Sequence, residues 1–292
     1  MIEPLDLAVP VEGGDLDVAV YGTDRPDAPT LLAIHGITAS SRSWQVVAER
    51  LGRRAPGVRL LAPDLRGRGQ SGQLPGPWGL RRHAVDLAHV IEHQGLGPVP
   101  VVGHSMGAFV AVALAQLVPD AVSELILVDG GLPLELPEGA GAGDIVAALG
   151  PAAARLQMEF ADLGAALELW RQHPAFARDW RPEVEDYVRY DLRGEAPHLR
   201  SSASAEGMLQ DGAELYGEPW YLDALRGLTV PVTVLRAPRG LLDAEPLYAP
   251  GRLETFASDV PQLRVVEVDD VNHYTIVFAD RGADRVVEQL PF

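Results

Sequence analysis

Apolar residues in this chain fall into short runs separated by amphipathic stretches, which is the pattern of alternating strands and helices. Leu5 to Tyr21 alternates weakly about Gly13-Gly14 and predicts an antiparallel hairpin. Leu31-Leu32-Ala33-Ile34, Val58 to Ala62, Val99-Pro100-Val101-Val102, Leu125-Ile126-Leu127-Val128, Pro231 to Leu235 and Leu263 to Val268 are short and mostly apolar. Runs of that length bounded by turn residues read as buried strands. Between them, Ser43 to Leu51, Leu80 to His93, Met106 to Val118 and Thr275 to Leu290 read as helices. Leu80 to His93 sets Val85, Leu87, Ala88, Val90 and Ile91 on or near one face. Met106 to Val118 is apolar nearly all round and is therefore expected to be buried. Strands separated by helices imply an α/β fold with a mostly parallel sheet.

The strand rhythm stops between about Leu132 and Trp220. Helical stretches replace it, Asp144 to Trp170 with breaks and Glu183 to Leu192, punctuated by Pro133, Pro137, Pro151, Pro174, Pro182 and Pro197. The expected organisation is a core built from residues 1–131 and 221–292, with residues 132–220 inserted as a helical cap. Met158, Phe160, Trp170, Phe176 and Trp180 would form the cap interior, a few of them facing a pocket between cap and sheet.

Composition narrows the chemistry. A length of 292 residues suits one large α/β domain with an insertion. Cysteine is absent, which excludes disulfides, a thiol nucleophile and cysteine-ligated metals. All 24 basic residues are arginine, so lysine Schiff-base chemistry is excluded as well. The net charge of −17 argues against a nucleic-acid or anionic-membrane partner. No apolar stretch is long enough to span a membrane. The acidic start Met1-Ile2-Glu3-Pro4-Leu5-Asp6 does not resemble a secretory signal, so a cytoplasmic location is expected. No metal or cofactor motif is present, and none is expected to be bound. A homodimer is compatible with the composition but not indicated by it.

Gly103-His104-Ser105-Met106-Gly107 is the most informative segment. It lies between a predicted strand and a predicted helix, the setting of a G-x-S-x-G nucleophile elbow. A side chain at 103 or 107 would collide where strand and helix pass closely. Serine is a poor nucleophile unless a base stands within hydrogen-bond reach and a third group orients that base. His273 fits the base. It follows the last predicted strand through Asp269-Asp270-Val271-Asn272 and precedes the final helix. Loops at the carboxyl ends of parallel strands are where such sheets place their sites. His173 and His198 fall in the expected cap instead.

Four segments together carry a family resemblance: His35-Gly36, Pro63-Asp64-Leu65-Arg66-Gly67-Arg68-Gly69-Gln70-Ser71, the elbow, and Asn272-His273-Tyr274. The chain resembles an α/β-hydrolase fold enzyme with a cap, over nearly its whole length outside the cap. The resemblance implies a mostly parallel eight-stranded sheet flanked by helices. It also implies an oxyanion hole formed by the backbone N–H groups of Ile37 and Met106. Asp64 and Arg66 are read as structural residues of their loop, with a buried ion pair expected there.

The acid departs from the common family pattern. Most members carry it shortly after the strand corresponding to Val232-Thr233-Val234-Leu235, and here that position holds Gly240. Asp243 and Glu245 follow within five residues. A second family solution places the acid after the preceding strand, where this chain has Asp129. Asp129 is preferred, with Asp243 and then Glu245 as alternatives.

The expected function is hydrolysis of an ester-like bond, a carboxylester or lactone, in a small to medium apolar substrate through an acyl-enzyme. Serine at the elbow argues against relatives that form alkyl-enzyme esters on an aspartate. Carbon–carbon bond hydrolases and haloperoxidase-like members use the same residue set and remain alternatives. So does a ligand-binding protein on this fold that has no turnover.

Overall fold

The computed structural model describes residues 3–135, 150, 152–249 and 251–292. In chain order its strands are β1 (Leu5–Val11), β2 (Gly14–Gly22), β3 (Thr30–Ile34), β4 (Arg59–Pro63), β5 (Val99–His104), β6 (Val122–Val128), β7 (Leu192–Arg193), β8 (Arg200–Ser201), β9 (Val232–Arg236) and β10 (Leu263–Glu267). Eight form one sheet in the order β1-β2-β4-β3-β5-β6-β9-β10, and β7-β8 pair separately. β1 and β2 make the expected hairpin, and β2 runs antiparallel to β4. All remaining pairs of the large sheet are parallel. The expectation of a mostly parallel eight-stranded sheet is met.

The short apolar runs form strands covered on both faces because their side chains alternate with period two between two cores. In β3, Leu32 and Ile34 enter one core while Leu31 and Ala33 enter the other. β5 divides Val101 from Val102 in the same way, and β6 divides Leu125 and Leu127 from Ile126 and Val128. The helices that close these cores are α1 (Gln45–Arg54), α2 (Leu80–His93), α3 (Met106–Leu117), α4 (Leu163–Arg171), α5 (Pro182–Asp191), α6 (Ala205–Ala213), α7 (Pro219–Arg226), α8 (Arg252–Asp259), α9 (Thr275–Phe278) and α10 (Asp280–Glu288). Helices α2, α3, α7 and α8 cover the first core; α1, α9 and α10 cover the second. The second core also takes in Leu167, Trp170, Phe176, Val184 and Tyr187 from the segment between β6 and β9.

The segment expected to be a cap contains α4, α5, α6 and the β7-β8 pair, and α7 runs across its expected end at 220. Residues 152–156 are also helical. The expected helical start at Asp144, together with Pro137 and Pro151, lies outside the described residues.

Three expectations need correction. The helix from Thr275 to Leu290 is two helices, because Ala279 adopts an extended conformation (φ −98°, ψ 148°). The break lets Ile276 and Phe278 of α9 and Val286 and Val287 of α10 reach one core from a tight corner. Gly282 sits at the corner, where an added Cβ would lie 2.5 Å from the Ile276 carbonyl oxygen. The helix starting at Ser43 is preceded by a 3₁₀ turn over Ser41–Trp44 and continues to Arg54. Asp64 and Arg66 are both buried, but they do not pair with each other. Arg66 forks onto Asp86 at 2.8 and 3.0 Å, whereas Asp64 accepts the N–H groups of Ser41 and Gln70, each at 2.7 Å, and the Tyr190 hydroxyl at 2.6 Å. Neighbouring side chains in the Pro63–Arg66 stretch point to different elements, so closeness in sequence does not make them partners.

Among the described residues, no helix is long and apolar enough to cross a membrane.

Candidate active site

Chain order reverses direction across the sheet at β3 and β5. β4 lies on one side of β3 and β5 on the other, which opens a crevice at the carboxyl ends of these strands. Gly36 and Ile37 leave β3 there, and Ser105 leaves β5.

Ser105 has φ 55° and ψ −124°, a strained conformation for a residue with a side chain. Three glycines make the turn feasible. A Cβ on Gly103 would lie 2.3 Å from the Gly107 carbonyl oxygen, and one on Gly107 would lie 2.1 Å from that of Ile34. A Cβ on Gly130 would lie 2.2 Å from the Ser105 carbonyl oxygen. The sequence alone does not single out Gly130, although the Asp129-Gly130-Gly131 turn signal is visible in it.

His273 is buried, and its Nδ1 lies 2.7 Å from Oδ2 of Asp129. A carboxylate accepts, so Nδ1–H donates and Nε2 keeps its lone pair. Asp129 is fully buried at the end of β6 with φ 44°. Its Oδ1 accepts the Ala237 N–H at 3.1 Å, and its own N–H donates to the Leu235 carbonyl at 2.7 Å. The carboxylate is thus anchored to β9 on one side while the other oxygen faces His273. Asp243 points elsewhere: its Oδ1 accepts from Arg239 Nε at 2.7 Å and from Asn272 Nδ2 at 2.9 Å. Those bonds hold its carboxyl below the usual range against the upward push of partial burial. Glu245 is exposed on the same loop.

His104 is, on sequence grounds, only the variable residue of the elbow. In the structure its Nε2–H donates to the His273 carbonyl at 2.7 Å, and the two rings lie 4.8 Å apart. Burial first, and then the neighbouring His273, push His104 well below the ordinary histidine range, so it stays neutral.

The loop after β3 is fixed by His35. The Leu65 N–H donates to His35 Nε2 at 2.9 Å, which places the proton on Nδ1. Nδ1–H in turn donates to the Gly36 carbonyl at 2.8 Å. Burial holds His35 down at about 3, so this tautomer persists at neutral pH. The Gly36 carbonyl shares a peptide plane with the Ile37 N–H, so the bond sets the direction of that N–H. Among the described residues, neither the Ile37 N–H nor the Met106 N–H has a protein acceptor.

Ser105, His273, Gly36, Ile37 and Thr38 line one small pocket of about 50 Å³, closed by Tyr187, Leu241, Tyr274 and Phe278. Tyr187 comes from α5, Phe278 from α9 and Leu241 from the loop after β9. Phe176 and Trp170 pack behind Tyr274 with ring centroids 5.3 and 6.3 Å away. Met158, Phe160, Trp170, Phe176 and Trp180, expected in the cap with a few of them facing the pocket, do not line it themselves.

Residues 29–280 match the model of the alpha/beta hydrolase fold family. Among curated proteins, the chain is similar to lipase LipV of Mycobacterium tuberculosis, 40% identical over 121 residues. That match covers 41% of this chain and 44% of the lipase, under half its length. It is also similar to 2-(acetamidomethylene)succinate hydrolase of Mesorhizobium japonicum, 28% identical over 259 residues, or 86% of this chain and 84% of that one. Among solved structures, a thioesterase domain from the curacin biosynthetic pathway superposes with a TM-score of 0.77 at 25% identity, covering 98% of this chain and 99% of the other.

Proposed function

Since the chain belongs to the alpha/beta hydrolase fold family, we propose that it is a serine hydrolase that cleaves a carboxylester or lactone through an acyl-enzyme. The single observation that carries this reading is the hydrogen bond between His273 and Asp129, in the same crevice as a strained, half-buried serine. His273 Nε2 takes the proton from Ser105 Oγ as Oγ attacks the substrate carbonyl. Asp129 keeps the proton on Nδ1 and stabilises the imidazolium that forms. The oxyanion accepts the N–H groups of Ile37 and Met106, each donor being worth about 100- to 1000-fold in rate. The imidazolium then protonates the leaving group, and the same nitrogen activates water to release the acid.

The pocket beside Ser105, about 50 Å³ and walled by aromatic and aliphatic side chains, favours a short apolar acyl group. The half-exposed Leu241 at its edge leaves a way out for a longer leaving group.

The test is turnover of p-nitrophenyl esters from acetyl to octanoyl, with Ser105→Ala as control. The panel includes 2-(acetamidomethylene)succinate, the compound named for the relative that aligns over 86% of this chain. Ser105-dependent release that declines with acyl length supports the reading. Ligand binding without turnover, and without labelling by a fluorophosphonate, would replace it with a binding role.

A further inference from the structure

Two buried charges outside this constellation converge on the loop that carries Ile37. Arg68 is fully buried, and its guanidinium makes three polar contacts. Nε donates to the Ile37 carbonyl at 3.0 Å, and Nη1 donates to the Arg66 carbonyl at 2.9 Å. Nη2 lies 2.5 Å from Oδ2 of Asp211, an ion pair rather than a well-aligned hydrogen bond. Asp211 sits on α6, in the segment between β6 and β9, and is fully buried as well. Its other oxygen accepts the Gly79 N–H at 2.6 Å, and His83 Nε2 lies 3.0 Å from Oδ2. Burial alone would push Asp211 up, but His83 and Arg68 hold it down at about 2, so the pair stays ionised at neutral pH.

A buried ion pair adds little stability compared with an apolar replacement of the same shape. Its placement therefore calls for another explanation, and its partner supplies one. We propose that Arg68 and Asp211 are positioning residues for the oxyanion hole: α6, through Asp211 and the Arg68 guanidinium, holds the Ile37 carbonyl and so the orientation of the Ile37 N–H. This rests on the serine-hydrolase reading above. His35 fixes the peptide before Ile37 by bonding the Gly36 carbonyl, and Arg68 fixes the peptide after it. With both planes held, the soft dihedrals of Ile37 have little freedom left. Only the second hold is tied to the segment over the crevice, so the position of α6 is transmitted to the oxyanion donor. The fork of a guanidinium is required, since a lysine could keep the ion pair but could not also reach two carbonyls.

The experiment uses Arg68→Lys, Asp211→Asn and the double variant of the full chain, assayed with p-nitrophenyl acetate and an aryl trifluoromethyl ketone. The ketone forms a hemiketal oxyanion on the serine, so its affinity reports the hole directly. With the fold checked by near-UV circular dichroism, Arg68→Lys should lower kcat by about 10- to 100-fold, part of the effect of losing an oxyanion donor outright. KM should stay within about twofold, and the ketone should weaken by the same factor as kcat/KM. The double variant should be no worse than Arg68→Lys, because the two side chains act through one carbonyl. If Arg68→Lys does not fold, Asp211→Asn carries the same comparison with a smaller expected loss. Wild-type kcat in a folded variant, a rise in KM alone, or a loss of kcat not mirrored by the ketone would each overturn the inference. Turnover that survives Ser105→Ala would instead overturn the serine-hydrolase reading on which it rests.

Discussion

Nδ1 of His273 lies 2.7 Å from Oδ2 of Asp129, across 144 positions of chain. Asp129 directly follows β6, and His273 follows β10, two strands away in the sheet with β9 between them. The carboxylate reaches over β9, and it is the Ala237 N–H beyond β9 that braces its second oxygen. Asp243, closer to His273 in sequence, spends its carboxylate on Arg239 and Asn272.

This arrangement separates the two candidate acids in a kinetic test. Asp129→Asn should lower kcat by about 10,000-fold, as expected when the base loses the group that sets its tautomer. Asp243→Ala should cost no more than about tenfold, through a loosened Asn272 next to His273. Both rates come from steady-state ester hydrolysis. Equal losses in the two variants would remove Asp129 from its assigned role.

Gly130 carries a constraint of its own, since a Cβ there would lie 2.2 Å from the Ser105 carbonyl oxygen and 2.8 Å from its Cα. Gly130→Ala must therefore displace Ser105 or the strand end beside it. A displacement approaching an ångström costs about 100-fold in rate. Fluorophosphonate labelling of Ser105 should slow by a similar factor, and labelling at the wild-type rate would show that the turn absorbs the methyl group.

The Arg66–Asp86 pair anchors the loop after β4 to α2, with both side chains about 1% exposed. Removing only the cation, as in Arg66→Met, leaves Asp86 buried with Arg82 as a partial partner at 3.3 Å. The expected loss is about 3–5 kcal/mol of folding stability. Adding Asp86→Leu should recover much of it, because the uncompensated charge then disappears. Urea unfolding midpoints of the single and double variants provide the measurement.

Asp17 on β2 predicts how stability depends on pH. Burial first, then the carboxylates of Asp64 and Asp6, push its carboxyl up from 3.8 to about 7. The native state therefore keeps a proton there that the unfolded chain releases near the ordinary aspartate value. Stability from this group is complete below about pH 4 and is lost as pH rises through about 7. Asp17→Asn removes the titration. The variant should gain on the wild type between pH 5 and 8. A tenfold change in proton affinity corresponds to about 1.4 kcal/mol, and solvent screening of a partly exposed carboxyl reduces the gain to about 1–2 kcal/mol. Urea midpoints at several pH values should diverge across that window. A constant difference between the two proteins would refute the assignment.

Much of the fold was legible in the sequence because it depends on short-range pattern. The inner parallel strands β3, β4 and β5 are short, mostly apolar runs, buried along their length and too short to be helices. The elbow was readable because Gly103, Ser105 and Gly107 must sit within one turn of each other whatever surrounds them. Helix α3 was readable because it is apolar all round, and only a buried helix tolerates that. The break at Ala279 was not, since no proline marks it and the glycine at the corner, Gly282, falls inside the following helix.

What remained open locally was decided by how distant segments meet. Sequence alone prefers Asp129 only slightly over Asp243 and then Glu245, since all three are acids in turns after predicted strands. Sheet order brings the first to His273, and Arg239 and Asn272 engage the second. His104, Arg68 and Asp211 gave no sign of their contacts, because each partner lies in a different element and often more than a hundred residues away. By itself, then, the sequence determined the strands, the elbow and the histidine that follows the last strand, since each is a property of a few adjacent residues. Only the tertiary structure decided which acid faces that histidine and which charges hold the loop of Ile37. Hydrogen bonds act over about 3 Å, and chain separation says nothing about which groups come that close.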